Sequence, residues 1–551
     1  MVFRFINMNI VQHNITDDKA VASFAAWHLT VITAASVVVA TYVFLWALLY
    51  FTHDFQEPPL VSSTIPFLSA VMGMVKWSMG FYTHMREMHP DLPIYTLRLP
   101  GTRLYIVNST HLIPVIQRQW RTLIFPPVSA QAAEAALGVS KDALAIVRKD
   151  MVTDNGFLPA FVKAIHQPLS SGPALDRLNS KALELLTASL DEIVARDGKR
   201  VKLYEWIRHE FLMATTDAVY GPHNPLRDSE NEAAWLTYHP TIMYLMLNLL
   251  PNFIFRHAFA ARNRLATAFL VYHTQNRYRS GSTYIQRWTA HFTSRGIPDT
   301  DISRFHIGGL FALTANTIPT AFWTVLRVFS NPSVAAACRD EILRAAVTAD
   351  DDAAGVCTLA ARAVTDGRRC PTLLSVFQEV FRFHGMANSI RVATADHLLD
   401  GKYRIRKGGM VMIPARVQHR LREVWGEDVE VFDHRRFLRS RAGKEGRARH
   451  NPVAFRGFGG GTTLCPGRHF ATTEILVFVA MLLVRFEIVP VGKGGEGEWV
   501  IPTTGKSSQA EAMEQPDFDV EVALRPREGV ERQWRVVFDG EGEAALVAED
   551  L

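Results

Sequence analysis

Cysteine is scarce in this chain: 551 residues hold four, Cys338, Cys357, Cys370 and Cys465, with no Cys-x-x-Cys pair among them. Such sparse spacing excludes a disulfide-stapled secreted module and fits a reducing compartment, where a free thiolate can be kept for chemistry. None of the 20 histidines forms His-x-x-x-His with a supporting acid, so a zinc site is not expected. The glycine run Gly459-Gly460-Gly461 neither follows a strand–helix–strand unit nor fits Gly-x-Gly-x-x-Gly, so the chain carries no flavin or nicotinamide module of its own. Net charge is a mild +5 with the basic residues scattered rather than striped, which makes nucleic acid an unlikely partner on electrostatic grounds. No repeat, low-complexity tract or second domain boundary is visible. A hydrophobic content of 48% supports a sizeable core.

Charge is missing altogether between Ala20 and His53. Within that span Leu29 to Thr52 is long enough to cross a bilayer, for which about 20 apolar residues suffice. Trp27, Trp46 and Tyr50 suit the two interfaces. The run is too long for the core of a cleaved signal peptide, starts late, and is followed by no Ala-x-Ala site. The expectation is a short N-terminal segment (1–28), a single membrane anchor (29–52) and one large domain (53–551). Asn14-Ile15-Thr16 is a glycosylation sequon, usable if the N-terminus is lumenal. Asn108-Ser109-Thr110 would then face the cytosol and stay unmodified. Pro58 and Pro59 stiffen the link into the domain.

Beyond the link, residues 94–107 alternate around a Pro-Gly turn and predict a β-hairpin. From about 130 to 345 apolar residues recur at helical spacing, and strand-like runs return at 402–413 and 516–538. The fold class expected is mainly α with a minor β-sheet, preceded by one transmembrane helix.

The most informative stretch is Phe458-Gly459-Gly460-Gly461-Thr462-Thr463-Leu464-Cys465-Pro466-Gly467-Arg468. A thiolate donates electron density to haem iron and favours O–O cleavage. Glycines let the backbone approach a flat macrocycle that side chains would block. The pattern of Phe458, Gly461, Cys465 and Gly467 resembles the haem-binding loop of the cytochromes P-450. That resemblance implies Cys465 as axial ligand of haem b (iron protoporphyrin IX).

Residues 305–329 form an apolar, charge-poor stretch that predicts one long buried helix, carrying Ala315-Asn316-Thr317-Ile318-Pro319 in its interior, where it can bulge. Proline removes a helix hydrogen bond and frees a carbonyl, opening room for dioxygen and water. In the family this helix crosses over the haem with an acid–alcohol pair that relays protons. Here the alcohol is Thr317, but Asn316 replaces the acid and cannot change protonation state near neutrality, so a relay runs through Thr317 and water. Asn-Thr-x-Pro followed by Phe322-Trp323 resembles the branch of sterol 7α-hydroxylases, with prostacyclin synthase more distant.

Glu379 and Arg382 sit one turn apart on a predicted helix. By resemblance they form a structural triad with Arg436 of Phe432-Asp433-His434-Arg435-Arg436-Phe437, where His434 replaces the family's proline. Arg391 is implied as a haem-propionate partner, since its planar fork grips carboxylates. The second propionate partner is unassigned: Thr463 stands where the family often has Arg or His, and residues 115–165 contain no Trp-x-x-x-Arg. Family topology places Ala312, Thr314, Ala387 and Asn388 in the substrate pocket, among apolar neighbours suited to a steroid, terpenoid or polyketide.

Together these imply a haem-thiolate monooxygenase of the endoplasmic reticulum membrane with a cytosolic catalytic domain. Its electrons come from NADPH through an NADPH–cytochrome P-450 reductase. Two alternatives remain at this point, a haem-thiolate isomerase or dehydratase needing no electron input and a non-enzymatic haem-binding scaffold.

Overall fold

The computed structural model describes residues 3–61, 64–247, 252–349, 356–438, 451–492, 495–508, 510–530 and 533–538. Its first element is a helix from Phe3 to Thr52, whose segment Ser23–Thr52 is apolar enough to cross a membrane and is exposed along most of its length, with Leu49 near its end buried. The side chain of Asn14 lies outside the described residues.

Ionic contacts seat the end of this helix on the domain. Arg103 Nη2 donates to the Thr52 carbonyl at 3.0 Å, and Asp54 pairs with Arg404 and Arg406 at 2.9 and 3.0 Å. The Tyr105 hydroxyl donates to buried Glu57 at 2.8 Å.

The domain is mostly helical. Its largest sheet has five strands: β1 (Ile94–Leu99), β2 (Thr102–Val107), β3 (Leu123–Ile124), β4 (Asn388–Ala393) and β5 (Met410–Pro414), in the spatial order β1-β2-β5-β4-β3. The hairpin expected over 94–107 is β1–β2, with Leu99 opposite Thr102 and Gly101 at φ +71° in the turn. The strand-like run at 402–413 resolves into Tyr403–Ile405 and β5, and the run at 516–538 into Glu521–Pro526 and Gln533–Val537.

Two core helices position the site. The helix Arg468–Arg485 is buried along nearly its whole length, as an all-round apolar helix must be. The stretch expected as one long helix is two, Asp299–Thr314 and Thr317–Phe329, parted at Ala315–Asn316. Pro319 explains the break, because it has no N–H to offer the Ala315 carbonyl one turn earlier.

Glu474, inside the Arg468–Arg485 helix, is fully buried and among the described residues receives only the Thr215 hydroxyl, at 2.7 Å. Burial pushes its carboxyl up to about 8 from an ordinary 4.5. The folded chain therefore keeps this proton while the unfolded chain sheds it, and stability falls as pH rises from about 4.5 to 8. Glu474→Gln should flatten that part of the curve, leaving thermal stability near wild type at pH 5 and above it at pH 8.5. Melting temperatures across the range check this.

Candidate active site

The cysteine loop folds as its glycines require. Gly459 and Gly461 have φ of +88° and +59°, in the region L residues avoid. A Cβ on Gly460 would collide with the Arg456 guanidinium. The Cys465 N–H donates to the Phe458 carbonyl at 2.9 Å and closes the loop, which leads directly into the Arg468–Arg485 helix.

This loop forms one wall of a cavity of about 410 Å³. The broken helix forms another, presenting Ala312, Leu313, Asn316, Thr317 and Thr320. Those positions follow i, i+1, i+4, i+5 and i+8, the stripe that one helix face presents. The first half of β4, Asn388 to Arg391, and Ala387 before it form a third wall, and Ala512 and Met513 a fourth. Of the expected site residues, Cys465, Phe458, Gly467, Asn316, Thr317, Arg391, Ala312, Ala387 and Asn388 line this one space. Gly461 shapes the loop without reaching the cavity.

Thr314 corrects the sequence expectation. It is buried off the lining face, with its hydroxyl bonded back to the Leu310 carbonyl at 2.8 Å. Asn316 has a task that sequence could not show: its Oδ1 accepts the Ala512 N–H at 2.7 Å, tying the C-terminal wall to the helix break. The Thr317 hydroxyl, bonded to the Leu313 carbonyl at 3.0 Å, lies on the lining face.

Two guanidiniums, both almost fully buried, share the cavity edge. Arg391 bonds Thr463 Oγ1 at 2.7 Å and Ser389 Oγ at 3.1 Å, and no acidic side chain among the described residues pairs with it. Burial, and then the charge of Arg456, push Arg391 down to about 10. Arg456 was not singled out from sequence. Its backbone N–H donates to His419 Nε2 at 2.9 Å, and its Nη1 lies 3.1 Å from Gln117 when that amide turns its oxygen inward.

Glu379, Arg382 and Arg436 meet just behind this wall. Arg382 grips Glu379 through two bonds of 2.7 Å, and Arg436 Nε adds one of 3.2 Å. Arg382 Nη1 also holds the carbonyls of His419 and Val429, at 3.1 and 2.9 Å.

Haem fits the donor set. Among the described residues no group of three His, Cys, Asp or Glu side chains could hold a bare metal ion. One thiol in an apolar cavity therefore suits a metal that would bring its other ligands with it. The paired cations at the edge suit carboxylates that such a macrocycle carries.

Comparison with known proteins agrees. Residues 237–498 match the family model described as Cytochrome P-450. The chain is 33% identical over 483 residues to the cytochrome P-450 monooxygenase nodJ of Hypoxylon pulicicidum, covering 86% of this chain and 90% of that one. It is 27% identical over 500 residues to a cytochrome P-450 monooxygenase of Gibberella zeae, covering 88% and 92%. A cholesterol 7-alpha-monooxygenase of Cricetulus griseus is 26% identical over 246 residues, 43% of this chain and 49% of that one. By its cysteine loop, its helical architecture and these relatives, the chain belongs to the cytochrome P-450 family of monooxygenases.

Proposed function

We propose that the cavity holds haem b, whose iron the Cys465 thiolate would hold, and that the enzyme inserts one oxygen atom from dioxygen into a lipophilic small molecule. The observation that carries this reading is a single thiol facing, across one apolar cavity, the opened helix turn at Asn316–Thr317. When bound, haem supplies the binding and reductive cleavage of dioxygen.

The chain's own residues do the rest. The glycine loop presents the sulfur, and Arg391 and Arg456 hold the two propionates. Asn316 keeps the C-terminal wall in place, and Thr317 holds water and passes protons at the turn. Glu379, Arg382 and Arg436 brace the cradle without touching the reacting atoms.

Ala312, Ala387, Met513 and Phe470 give the cavity apolar walls, with Asn388 and Ser389 as sparse polar anchors. Such a lining suits a steroid, terpenoid or polyketide bearing one or two oxygens. A sterol is in keeping with the name of the Cricetulus relative, a cholesterol 7-alpha-monooxygenase. Residues 29–52 anchor the enzyme in the endoplasmic reticulum membrane, with 1–28 lumenal and the catalytic domain, 53–551, cytosolic. Electrons reach it from NADPH through an NADPH–cytochrome P-450 reductase.

The test is the reduced, carbon monoxide-bound difference spectrum of the full chain. Turnover of a sterol and terpenoid panel with reductase, NADPH and isotopically labelled dioxygen follows. A thiolate-type Soret band and label in the product are expected. Product formed without NADPH would replace this reading with an isomerase or dehydratase. Arg391→Ala and Arg456→Ala should each lower the haem-to-protein absorbance ratio several-fold, and full occupancy in both would remove the propionate assignment.

A further inference from the structure

The family's acid is missing at Asn316, yet a buried acid lies beside the helix break. Glu511 is 5% exposed, and its Oε2 has no hydrogen-bond partner among the described residues. Its Oε1 is 3.3 Å from His239 Nε2, close enough for an ion pair though not aligned as a hydrogen bond. The His239 side chain is 18% exposed, so this pair reaches from the protein surface into the interior.

Inward, the Gln515 side chain lies against the Glu511 carboxyl, and its Nε2 is 3.5 Å from the Ala315 carbonyl. That carbonyl is the one Pro319 leaves without a helical partner. The Tyr204 hydroxyl donates to Gln515 Oε1 and holds the amide in this orientation. The residue after Glu511 is Ala512, which lines the cavity and donates its N–H to Asn316. The acid is thus fixed within one residue of the cavity wall, against the opened turn.

We propose that Glu511 feeds protons to the cavity through the turn at Ala315–Asn316, with His239 reloading it from solvent. The proposal rests on the monooxygenase reading above. Inserting one oxygen atom into a C–H bond consumes dioxygen, two electrons and two protons, and leaves an alcohol and water; the reductase supplies the electrons. In each relay step the Glu511 O–H bond breaks and its proton passes to water held at the turn. The carboxylate then takes a proton from His239, and His239 takes one from solvent. Nothing in the relay is oxidised or reduced.

The surroundings set the direction. Burial pushes Glu511 up to about 7, with Tyr204 also facing it. Burial, and then the nearby Arg208, push His239 down to about 4. Of the two groups the carboxyl therefore holds the proton more tightly, and transfer from a protonated His239 to an ionised Glu511 runs downhill.

Glu511→Gln keeps the shape and removes the proton. In the full chain with reductase and NADPH, it should cut oxygen consumption by about a hundredfold, at the low end of what a positioned acid supplies. The carbon monoxide band should stay unchanged. Adding Asn316→Asp to Glu511→Gln should restore the rate, which a packing role for Glu511 would not allow. His239→Gln should slow consumption while leaving haem content intact, and it tests the route if Glu511→Gln loses haem.

Independently of turnover, infrared spectra should show a protonated carboxyl band that titrates near pH 7 and vanishes in Glu511→Gln. Wild-type oxygen consumption in both single variants, or no such band in the wild type, overturns the relay alone. A wild-type protein lacking the thiolate spectrum overturns the reading beneath it, and the relay with it.

Discussion

Cys465→Ser is expected to abolish the thiolate-type Soret band of the carbon monoxide complex and to remove monooxygenation. An alcohol does not ionise near neutrality, so serine offers no anionic donor in the place of sulfur. Altering a partner of a metal ligand costs roughly 10–100-fold, and removal of the ligand itself should exceed that range. Haem need not be lost, because the apolar walls and the guanidiniums of Arg391 and Arg456 remain. The variant should then retain pigment with a shifted spectrum. Cys338, Cys357 and Cys370 are buried and none lines the cavity. Cys370→Ser should therefore leave the band where it was. A wild-type band in Cys465→Ser would remove the ligand assignment, and with it the account of how this cavity activates dioxygen.

What could be read from sequence here was mostly local chemistry. The cysteine loop was legible because its glycines answer to a backbone need, positive φ at Gly459 and Gly461 and a missing Cβ at Gly460. An opening in the long helix was legible because Pro319 lacks an N–H, whatever surrounds it, though as a bulge within one helix rather than the full break observed. Thr314 was misplaced although helical geometry was available: counted from Ala312, the lining stripe runs through 313, 316, 317 and 320 and skips 314.

Arg456 and Glu511 were missed for a different reason. Arg456 acquires its surroundings from Gln117, His419 and Arg391, and only the folded chain brings those positions together. Glu511 stands in a C-terminal stretch without a motif. It matters through Gln515 to Ala315 and through Ala512 to Asn316, contacts that span about two hundred residues. Sequence spacing reports what one helix or turn does with itself, whereas burial and long-range pairing are set by packing.

Arg382→Leu should be the most damaging single change to the fold. Glu379 and Arg382 are both 0% exposed, so the substitution leaves a carboxylate in the core with one remaining cation, Arg436, at 3.2 Å. It also strands the carbonyls of His419 and Val429, which Arg382 Nη1 now holds. Breaking a buried pair in this way costs roughly 3–5 kcal/mol. Against a total of about 5–15 kcal/mol, that removes from about a fifth of the stability up to nearly all of it. Loss of soluble, haem-loaded protein and a lower unfolding midpoint are the expected results.

Arg436→Leu should cost less, because the two 2.7 Å bonds between Arg382 and Glu379 survive it. The double variant Glu379→Leu/Arg382→Leu separates the causes. Removing both charges spares the core an orphaned carboxylate, so it should recover part of the lost stability. If it unfolds as readily as Arg382→Leu, the stranded carbonyls rather than the uncompensated charge carry the cost. The triad would then act as a backbone clamp beneath the cavity, with its charge serving mainly to hold Arg382 in the reach of His419 and Val429.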